Sequence, residues 1–408
     1  MSSPRAVPPG ELHARTALLE PVPDLLRHLG HDGFAWFGPH GAFVTSGEAA
    51  HVAPAEAAAL LAGIRSATPR DVPTGAGPIA VGALPFDGIG RLVVPARVVG
   101  IAPDGRAWRT RVGPADGVPG GDTADVRDAP APGVTLIPDT AAWNAMVHHA
   151  VGRIHAGALE KVVLARQVLV TSDVAFDVTS VLERLRDTQP GCTVYADGGF
   201  VGASPEVLVR RFADTVTSIP MAGTVGRADA PDEDDDAVAR LVRSEKDVFE
   251  HRLVVDAVRE VLARECDELE EHGPVPVRLS TVTHLATTVS GRLRDRRVDA
   301  ARLAAALHPT PAVGGTPRAA ALSLLAQLEP EPRGRYGGPV GWVDARGDGE
   351  FVVALRCAAL EGTTARLYAG AGIVADSDPG REWDETEAKL EPMLRALHPG
   401  AFVHQPTL

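Results

Sequence analysis

Several strand-like segments follow one another directly in the second half of the chain, and this order constrains the fold more than any other feature. Period-two and β-rich patterns mark residues 193–203, 206–212 and 215–219, with no helical segment between them. Strands joined by short turns pair antiparallel, whereas a parallel pair needs a long crossover connection. The order therefore favours an α+β protein with large antiparallel sheets over a doubly wound parallel sheet.

Helical patterns and loops divide the rest of the chain. The longest pattern predicts one helix over residues 234–264, because apolar residues recur there at helical spacing. A last helix is predicted over residues 381–397, and the Gly- and Pro-rich residues 113–133 predict a long exposed loop. A length of 408 residues is compatible with two or three domains or with one large α+β unit.

The charge and cysteine content exclude several classes of function. The formal net charge is −13 and no basic tract is present, which argues against a nucleic-acid or membrane partner. Three scattered cysteines are too few for a disulfide framework or a zinc cluster, as expected for a cytoplasmic protein. No signal-like core or membrane-spanning stretch is evident. An anionic substrate must therefore be held by a few local cations or a metal ion.

Carboxylates on two predicted helices are candidate metal ligands. Glu250 precedes Val254 by four residues and so shares its apolar face, where a carboxylate needs a cation to offset lost hydration. Glu382, Glu385 and Lys389 follow one another at spacings of three and four on the last helix. Oxygen ligands from two helices would suit Mg²⁺, which keeps several waters and bridges to anionic substrates. The alternatives are a solvated Glu250 and an ordinary Glu385–Lys389 surface ion pair.

Four further residues are candidates for catalysis or substrate binding. Lys161 shares a face with apolar residues of a predicted strand, so it is either a general base or an edge lysine that reaches solvent. Glu206 follows a Ser-Pro corner and is either a matching general acid or a turn carboxylate. Arg356 ends the predicted strand 351–356, and its planar guanidinium either binds a substrate carboxylate through two hydrogen bonds or pairs with an acidic side chain. The segment containing Gly370, AGAGIV, lacks the third glycine of a dinucleotide site. Its glycines admit a substrate close to the backbone or form a tight turn.

Ten motifs occur together in the order typical of one family. They are KVVLAR, SPE, IPMAGT, SEKDVFEH, HLATTVSG, LHPTPAVGGTP, YGGPVGW, ALRCA, AGAGIV and EWDETEAKL. In these motifs the chain resembles the chorismate-utilising enzymes, and among them the isochorismate synthases. The resemblance implies a single large α+β domain over residues 1–408, with two stacked, mainly antiparallel sheets flanked by helices. Residues 136–398 would form the catalytic core, and residues 1–135, where the resemblance is loose, would complete the sheets.

The resemblance also implies an activity and a set of site residues. The activity is the Mg²⁺-dependent, reversible conversion of chorismate to isochorismate by a monomer. Lys161 matches the base that activates water, and Glu206 matches the general acid. Glu250 and Glu385 match metal ligands, with Glu382 close by and acting through water. The matching substrate contacts are Gly223, Thr224, Tyr336, Arg356, Gly370 and Lys389.

Two alternative functions stay open at this point. A salicylate synthase would use the same site and then eliminate pyruvate, and a non-catalytic subunit would bind chorismate without turning it over. Anthranilate-forming relatives carry glutamine in place of Lys161, and salicylate synthases lack the HPTPAVGG loop, which contains Ala312 and Val313. That loop is the reason for preferring isochorismate. Products of isochorismate synthases feed menaquinone or siderophore biosynthesis, and both pathways stay open for this chain.

Overall fold

The computed structural model describes residues 12–69, 71–114, 133–228 and 230–398. The predicted loop at 113–133 falls mostly outside these residues. Two short 3₁₀ helices, Leu25–His28 and Pro54–Glu56, accompany the α-helices. The α-helices are α1 (Ala57–Ala62), α2 (Thr140–His155), α3 (Val178–Thr188), α4 (Pro231–Arg243), α5 (Glu245–Glu265), α6 (Ala300–Leu307), α7 (Arg318–Leu328) and α8 (Pro379–Leu397).

Strands occur along the whole described chain. The first eight are β1 (His13–Leu19), β2 (Phe34–Gly38), β3 (Gly41–Val52), β4 (Arg65–Ala67), β5 (Ile79–Ala83), β6 (Leu92–Ile101), β7 (Ala107–Gly113) and β8 (Gly133–Ile137). The next eight are β9 (Lys161–Thr171), β10 (Thr193–Asp197), β11 (Phe200–Ser204), β12 (Val207–Phe212), β13 (Thr215–Ser218), β14 (Met221–Gly226), β15 (Cys266–Arg278) and β16 (Val282–Leu293). The last five are β17 (Gly315–Thr316), β18 (Pro339–Asp344), β19 (Gly349–Val353), β20 (Cys357–Glu361) and β21 (Thr364–Ile373).

The strands form two mainly antiparallel sheets that are joined at one point. The first sheet runs β9–β21–β20–β11–β10–β2–β3–β6–β7–β1–β4. On the outer edge of β9, β17 pairs with the start of the strand and β8 with its end. The second runs β5–β18–β19–β12–β13–β16–β15, with β14 also on β16. A single pair, Val81 and Val93, joins β5 to β6 and so connects the sheets. Only the β1–β4 pair is parallel among the described pairings, so the predicted α+β class with antiparallel sheets is confirmed.

The two sheets pack face to face over an aromatic core. Phe34, Trp36 and Phe43 from the first sheet meet Val81 and Trp342 from the second, and all five are at most 5% exposed. Helices cover the outer faces over two further apolar clusters, one under α2, α5, α6 and α7 and one under α3 and α8. Each layer therefore buries its apolar face against its neighbour.

The prediction of one helix over residues 234–264 is wrong, because the helix is interrupted at Ser244. Helix α4 ends at Arg243, and Ser244 has an extended conformation. The Ser244 side chain accepts a hydrogen bond from the backbone N–H of Asp247, which caps the N-terminus of α5. This break sets the direction of α5, the helix that carries Glu250.

Two smaller expectations also change in the structure. Residues 193–203 form the hairpin β10–β11 instead of one strand. The predicted last helix corresponds to α8, which continues through Pro392 to Leu397. None of the helices that the structure describes is long and apolar enough to cross a membrane.

Candidate active site

A cavity opens where the edges of the two sheets meet α5 and α8. Eight of the residues predicted from the sequence line it: Lys161, Glu206, Thr224, Glu250, Tyr336, Arg356, Gly370 and Lys389. The other residues of its lining are Val163, Pro205, Met221, Ala222, His284, Ala312, Leu355 and Gly372. Strands β9, β14, β16 and β21 supply much of the lining, and helices α5 and α8 contribute Glu250 and Lys389.

Lys161 is the most deeply buried cation of the cavity. It is the first residue of β9, and 1% of it is exposed. Its Nζ lies 2.9 Å from Oε1 of Glu250, which reaches it from α5. Burial by itself would raise the pKa of Glu250, but Lys161, with smaller contributions from Lys389 and Lys246, outweighs burial and holds that pKa below its ordinary value. Lys161 is therefore not an edge lysine, and Glu250 is not a solvated surface carboxylate.

The pKa of Glu206 is shifted in the opposite direction to that of Glu250. It lies between β11 and β12 and is 3% exposed. Burial raises the pKa of Glu206 to about 8, although Lys161, Lys389 and Arg356 each act to lower it. At neutral pH this carboxyl group is mostly protonated and can donate a proton. The cavity thus combines a protonated acid and an amine, which is the arrangement that general acid–base chemistry requires.

Arg356 enters the cavity from a strained backbone position. The prediction placed it at the end of a strand, but β19 ends at Val353 and Arg356 has a φ of 47°. A left-handed conformation is unfavourable for a residue with a Cβ and persists where the surroundings enforce it. Here it turns a buried guanidinium into the cavity, where Nη2 donates to Nε2 of His284 at 3.1 Å.

His284 fixes the orientation of that guanidinium. Its Nδ1 lies 3.1 Å from the Thr224 hydroxyl and 3.4 Å from the Gly223 carbonyl oxygen. Burial, and then the charge of Arg356, hold the pKa of His284 well below its usual range. A neutral ring with hydrogen on Nδ1 therefore accepts from Arg356 at Nε2. The sequence analysis did not single out His284, because it has no metal-ligand spacing.

Tyr336, Gly370 and Lys389 form the wall next to Arg356. The Tyr336 ring stacks on Tyr368 with centroids 5.4 Å apart, and burial raises the pKa of its hydroxyl. Nζ of Lys389 donates to the Gly370 carbonyl oxygen at 2.9 Å. A Cβ at Gly370 would lie 2.8 Å from the Tyr336 hydroxyl oxygen. Gly370 therefore lies inside β21 because a larger residue would displace Tyr336, and not because it forms a tight turn.

Gly372 is a site residue that the sequence analysis missed. It is two residues further along β21, and a Cβ there would lie 2.3 Å from Oε1 of Glu250 and 3.0 Å from Cε of Lys161. Only glycine leaves room for this ion pair. The motif AGAGIV contains the signal, since its two glycines at spacing two face the same side of a strand.

The three predicted metal ligands are each paired with a lysine. No three His, Cys, Asp or Glu side chains converge into a ready-made metal site within the described ranges. Glu382 and Glu385 do not line the cavity, but burial and then the charge of Glu385 raise the pKa of Glu382. The pairs are Lys161–Glu250 at 2.9 Å, Lys246–Glu382 at 3.1 Å and Lys389–Glu385 at 2.5 Å.

These pairs use every lysine in the sequence. The chain contains Lys161, Lys246 and Lys389, and the other 37 of its 40 basic residues are arginine. Lysine differs from arginine in carrying a compact ammonium that loses its proton readily when buried. The confinement of lysine to this one place indicates that a compact or titratable cation is required there.

Gly223 is the remaining predicted contact, and it lies just outside the lining. Its φ is +73°, and a Cβ would lie 3.1 Å from both Cβ and the carbonyl oxygen of Asp247. The glycine therefore allows β14 to approach the first turn of α5. The structure thus brings most of the predicted residues together in one cavity, whereas Gly223, Glu382 and Glu385 lie outside its lining.

Comparisons with known proteins show which family the chain is similar to. A family model described as "Chorismate binding enzyme" matches residues 127–398. The putative isochorismate synthase MenF of Mycobacterium tuberculosis (strain ATCC 25618 / H37Rv) is 39% identical over 402 residues, which cover 95% of this chain and 99% of that protein. Isochorismate synthase MenF of Bacillus subtilis (strain 168) is 40% identical over 260 residues, or 62% of this chain and 55% of that protein.

One solved structure is similar to this chain in both sequence and fold. It is described as a crystal structure of putative 2,3-dihydroxybenzoate-specific isochorismate synthase, DhbC, from Bacillus anthracis. Its TM-score to this chain is 0.77 at 32% sequence identity, and the match covers 91% of this chain and 98% of that one.

Proposed function

The chain belongs to the family of chorismate binding enzymes, and we propose that it catalyses the reversible, Mg²⁺-dependent conversion of chorismate to isochorismate. The observation that carries this proposal is the placement of buried Lys161 and buried Glu206 in the lining of one cavity. A binding subunit would need neither a proton acceptor nor a proton donor there. The relatives named above are isochorismate synthases, which supports the same reaction for this chain.

The cations of the cavity suit a substrate with two carboxylates. Arg356 offers a fork that His284 orients, and Tyr336 lies on the same wall, so we assign the enolpyruvyl carboxylate to them. Lys389, whose Nζ donates to the Gly370 carbonyl oxygen, adds a second positive charge to the lining. These local charges let a dianion enter a protein whose net charge is −13.

We assign the role of base to Lys161. In its neutral form it accepts a proton from a water molecule, and the resulting hydroxide oxygen bonds to C2 of the substrate ring while the ring double bonds shift. Its Nζ lies 2.9 Å from Oε1 of Glu250 in the lining of the same cavity, so this carboxylate holds the amine in place for the proton transfer.

We assign the role of acid to Glu206. As the C4–oxygen bond breaks, its carboxyl proton passes to the departing hydroxyl group, which leaves as water. One water enters and one leaves, and the product has the same kinds of bonds as the substrate. The reaction should therefore run in both directions, with Glu206 and Lys161 exchanging roles.

The acidic residues around Lys161 fit a magnesium ion in the chemistry of their donors. Glu250 and Glu385 would hold it through carboxylate oxygens, and Glu382 would act through water, because Mg²⁺ prefers oxygen ligands and keeps several waters. Each carboxylate already has a cation beside it in the form of a lysine ammonium, and the absence of a side chain at Gly372 leaves room for the Glu250 carboxylate itself. When bound, the ion would neutralise and orient the ring carboxylate of the substrate.

Product identification tests the proposal directly. The purified protein is incubated with chorismate, with and without Mg²⁺, and the products are separated by chromatography and identified by mass. We expect isochorismate from chorismate, chorismate from isochorismate, and no turnover without the metal ion. Salicylate and pyruvate as the main products would assign a salicylate synthase instead. Binding of chorismate without turnover would identify a non-catalytic subunit.

A further inference from the structure

We propose that Arg333, acting with Glu329, is a positioning residue for this reaction, and that it holds the Ala312–Val313 loop and strand β9 in the geometry that catalysis requires. The inference rests on the proposed function, because it concerns the same cavity. Neither side chain lines the cavity, so both would act through other residues. The resemblance and the comparisons assign no role to either of them.

The first observation is a gap in the hydrogen-bond ladder of β9. On the outer edge of this strand, β17 pairs only with Lys161 and Val162, and β8 pairs only from Gln167 onward. The backbone groups of Val163 and Ala165 face the same edge inside this gap. Buried backbone groups without partners are costly, so something other than a strand must satisfy them.

The Arg333–Glu329 pair fills that gap. Oε1 of Glu329 accepts the backbone N–H of Ala165 at 2.9 Å, and Nη2 of Arg333 donates to the carbonyl oxygen of Val163 at 2.6 Å. The Val163 N–H donates to the carbonyl oxygen of Gly314 at 2.9 Å. Two side chains and one loop thus replace a missing strand directly beside Lys161.

The same guanidinium also holds the loop that distinguishes this branch of the family. Nη1 of Arg333 donates to the carbonyl oxygen of Val313 at 2.6 Å, while Nε and Nη2 form a two-pronged pair with Glu329 at 2.8 and 2.5 Å. Arg333 is 3% exposed and stacks on Phe86, with its guanidinium carbon 4.4 Å from the ring centroid. All three nitrogens are therefore fixed by partners.

These contacts connect Arg333 to three walls of the cavity. Val163, whose carbonyl oxygen Arg333 binds, lines the cavity, and so does Ala312, the neighbour of Val313, whose carbonyl oxygen Arg333 also binds. The third wall is Tyr336, whose backbone N–H donates to the Arg333 carbonyl oxygen at 3.0 Å. Displacing Arg333 would move the strand that carries Lys161, the Ala312 loop and the Tyr336 turn relative to one another.

Lysine could not replace arginine in this position. An ammonium is a point donor on a flexible stem, whereas the planar fork reaches a carboxylate and two carbonyl oxygens in fixed directions. The variant Arg333→Lys keeps the charge opposite Glu329 and loses the fork. We expect kcat to fall by about 10²-fold, the cost of a displacement of about 1 Å, while the KM for chorismate changes by less than about 3-fold.

A matched control is available on β12. Arg211 is also 3% exposed; its Nη1 lies 3.3 Å from Oδ1 of Asp348, and it donates to the carbonyl oxygens of Arg346 and Arg296. It does not line the cavity. Arg211→Lys loses an equivalent buried fork, so it should lower thermal stability as much as Arg333→Lys does and leave kcat within about 2-fold of the parent.

Two readouts separate positioning from a general loss of structure. The first is amide hydrogen exchange, in which Arg333→Lys should speed exchange at Val163 and Ala165 and Arg211→Lys should not. The second is the product mixture, because a loosened Ala312 loop should raise the share of pyruvate formed per chorismate consumed. If Arg333→Lys folds poorly, Glu329→Gln provides the same test, since it keeps an acceptor for Ala165 and removes the charge opposite Arg333.

The outcomes distinguish this inference from the proposed function. A parent protein that does not convert chorismate would overturn the proposed function. A parent that does convert it, together with an Arg333→Lys variant of parental kcat and product mixture, would overturn the positioning role alone. Equal losses of kcat in Arg333→Lys and Arg211→Lys would reduce Arg333 to a structural residue and likewise overturn it.

Discussion

Nζ of Lys161 lies 2.9 Å from Oε1 of Glu250, and only 1% of Lys161 is exposed. The pair joins the first residue of β9 to the second turn of α5, so it links the sheet that supplies the base to the helix that supplies a carboxylate. A buried pair of this kind is costly to break, because removing one partner leaves the other charge uncompensated.

Lys161→Met should remove catalysis and weaken the fold. We expect kcat to fall by about 10²–10⁴-fold, the usual contribution of a general base. The unpaired Glu250 should lower the free energy of unfolding by about 3 kcal/mol. The double variant Lys161→Met/Glu250→Gln should recover most of that stability and none of the activity. Steady-state kinetics and thermal denaturation measure both effects, and turnover at the parental rate in Lys161→Met would remove this residue from the mechanism.

The pH dependence should report the protonation of Glu206. Because its pKa is about 8 in the folded protein, kcat should fall as the pH rises through about 8 and the acid loses its proton. A raised pKa also makes folding less favourable at high pH. The parent should therefore lose stability relative to Glu206→Gln between about pH 4.5 and pH 8, with a constant difference above that range. Melting temperatures of both proteins across this range provide the measurement.

The activity of Glu206→Gln completes that test. The amide has the same size as the carboxyl group and cannot supply the proton, so turnover should nearly cease while the fold persists. If the residual kcat of Glu206→Gln still fell as the pH rises through about 8, a group other than Glu206 would cause that pH dependence.

Gly372→Ala should damage the site without unfolding the protein. The new Cβ would lie 2.3 Å from Oε1 of Glu250, and the ends of two flexible side chains must shift to accommodate it. We expect a fall in kcat of at least about 10-fold and a loss of stability of no more than about 3 kcal/mol, the cost of breaking the buried pair. Gly152→Ala on α2 is the control, because a Cβ there meets nothing within 4 Å. If both variants keep parental activity, the space at Gly372 has no role in catalysis.

Glu385→Gln should weaken the response to Mg²⁺. The amide is a poorer ligand for a hard cation, so we expect the Mg²⁺ concentration for half-maximal rate to rise by at least about 10-fold. Glu391→Gln lies on the same helix and removes only a surface pair with Arg395, so its Mg²⁺ response should match the parent. Identical Mg²⁺ curves for the two variants would exclude Glu385 as a ligand.

Much of the site was predictable because its residues occur in short motifs with a definite order. The pattern of adjacent strands predicted the antiparallel class. Lys161 and Glu250 were candidates because they share a face with apolar residues, and the structure pairs them. Glu206 was a candidate because it follows a Ser-Pro corner, and the structure buries it. Inward-facing charges are costly without partners, so their presence in an apolar pattern carries functional information.

The partners of these charges were not predictable, because they depend on contacts between distant segments. Nothing in the sequence around Arg333 shows that its side chain completes the ladder of β9, or that Glu329 helps it. The break at Ser244 did have a local signal, since a serine with an acidic residue three positions later is a helix N-cap pattern. The long apolar stripe on both sides of the serine concealed it.

The confinement of lysine to the site has a practical consequence for spectroscopy. Feeding the producing cells with lysine labelled with ¹⁵N at the side-chain nitrogen would give a protein with three labelled ammonium groups, each facing one of the glutamates named above. A nuclear magnetic resonance spectrum of that sample would contain signals from this one region and no surface background. The protons on Lys161 could then be followed during a titration with substrate or metal ion, in a molecule that carries no substitution.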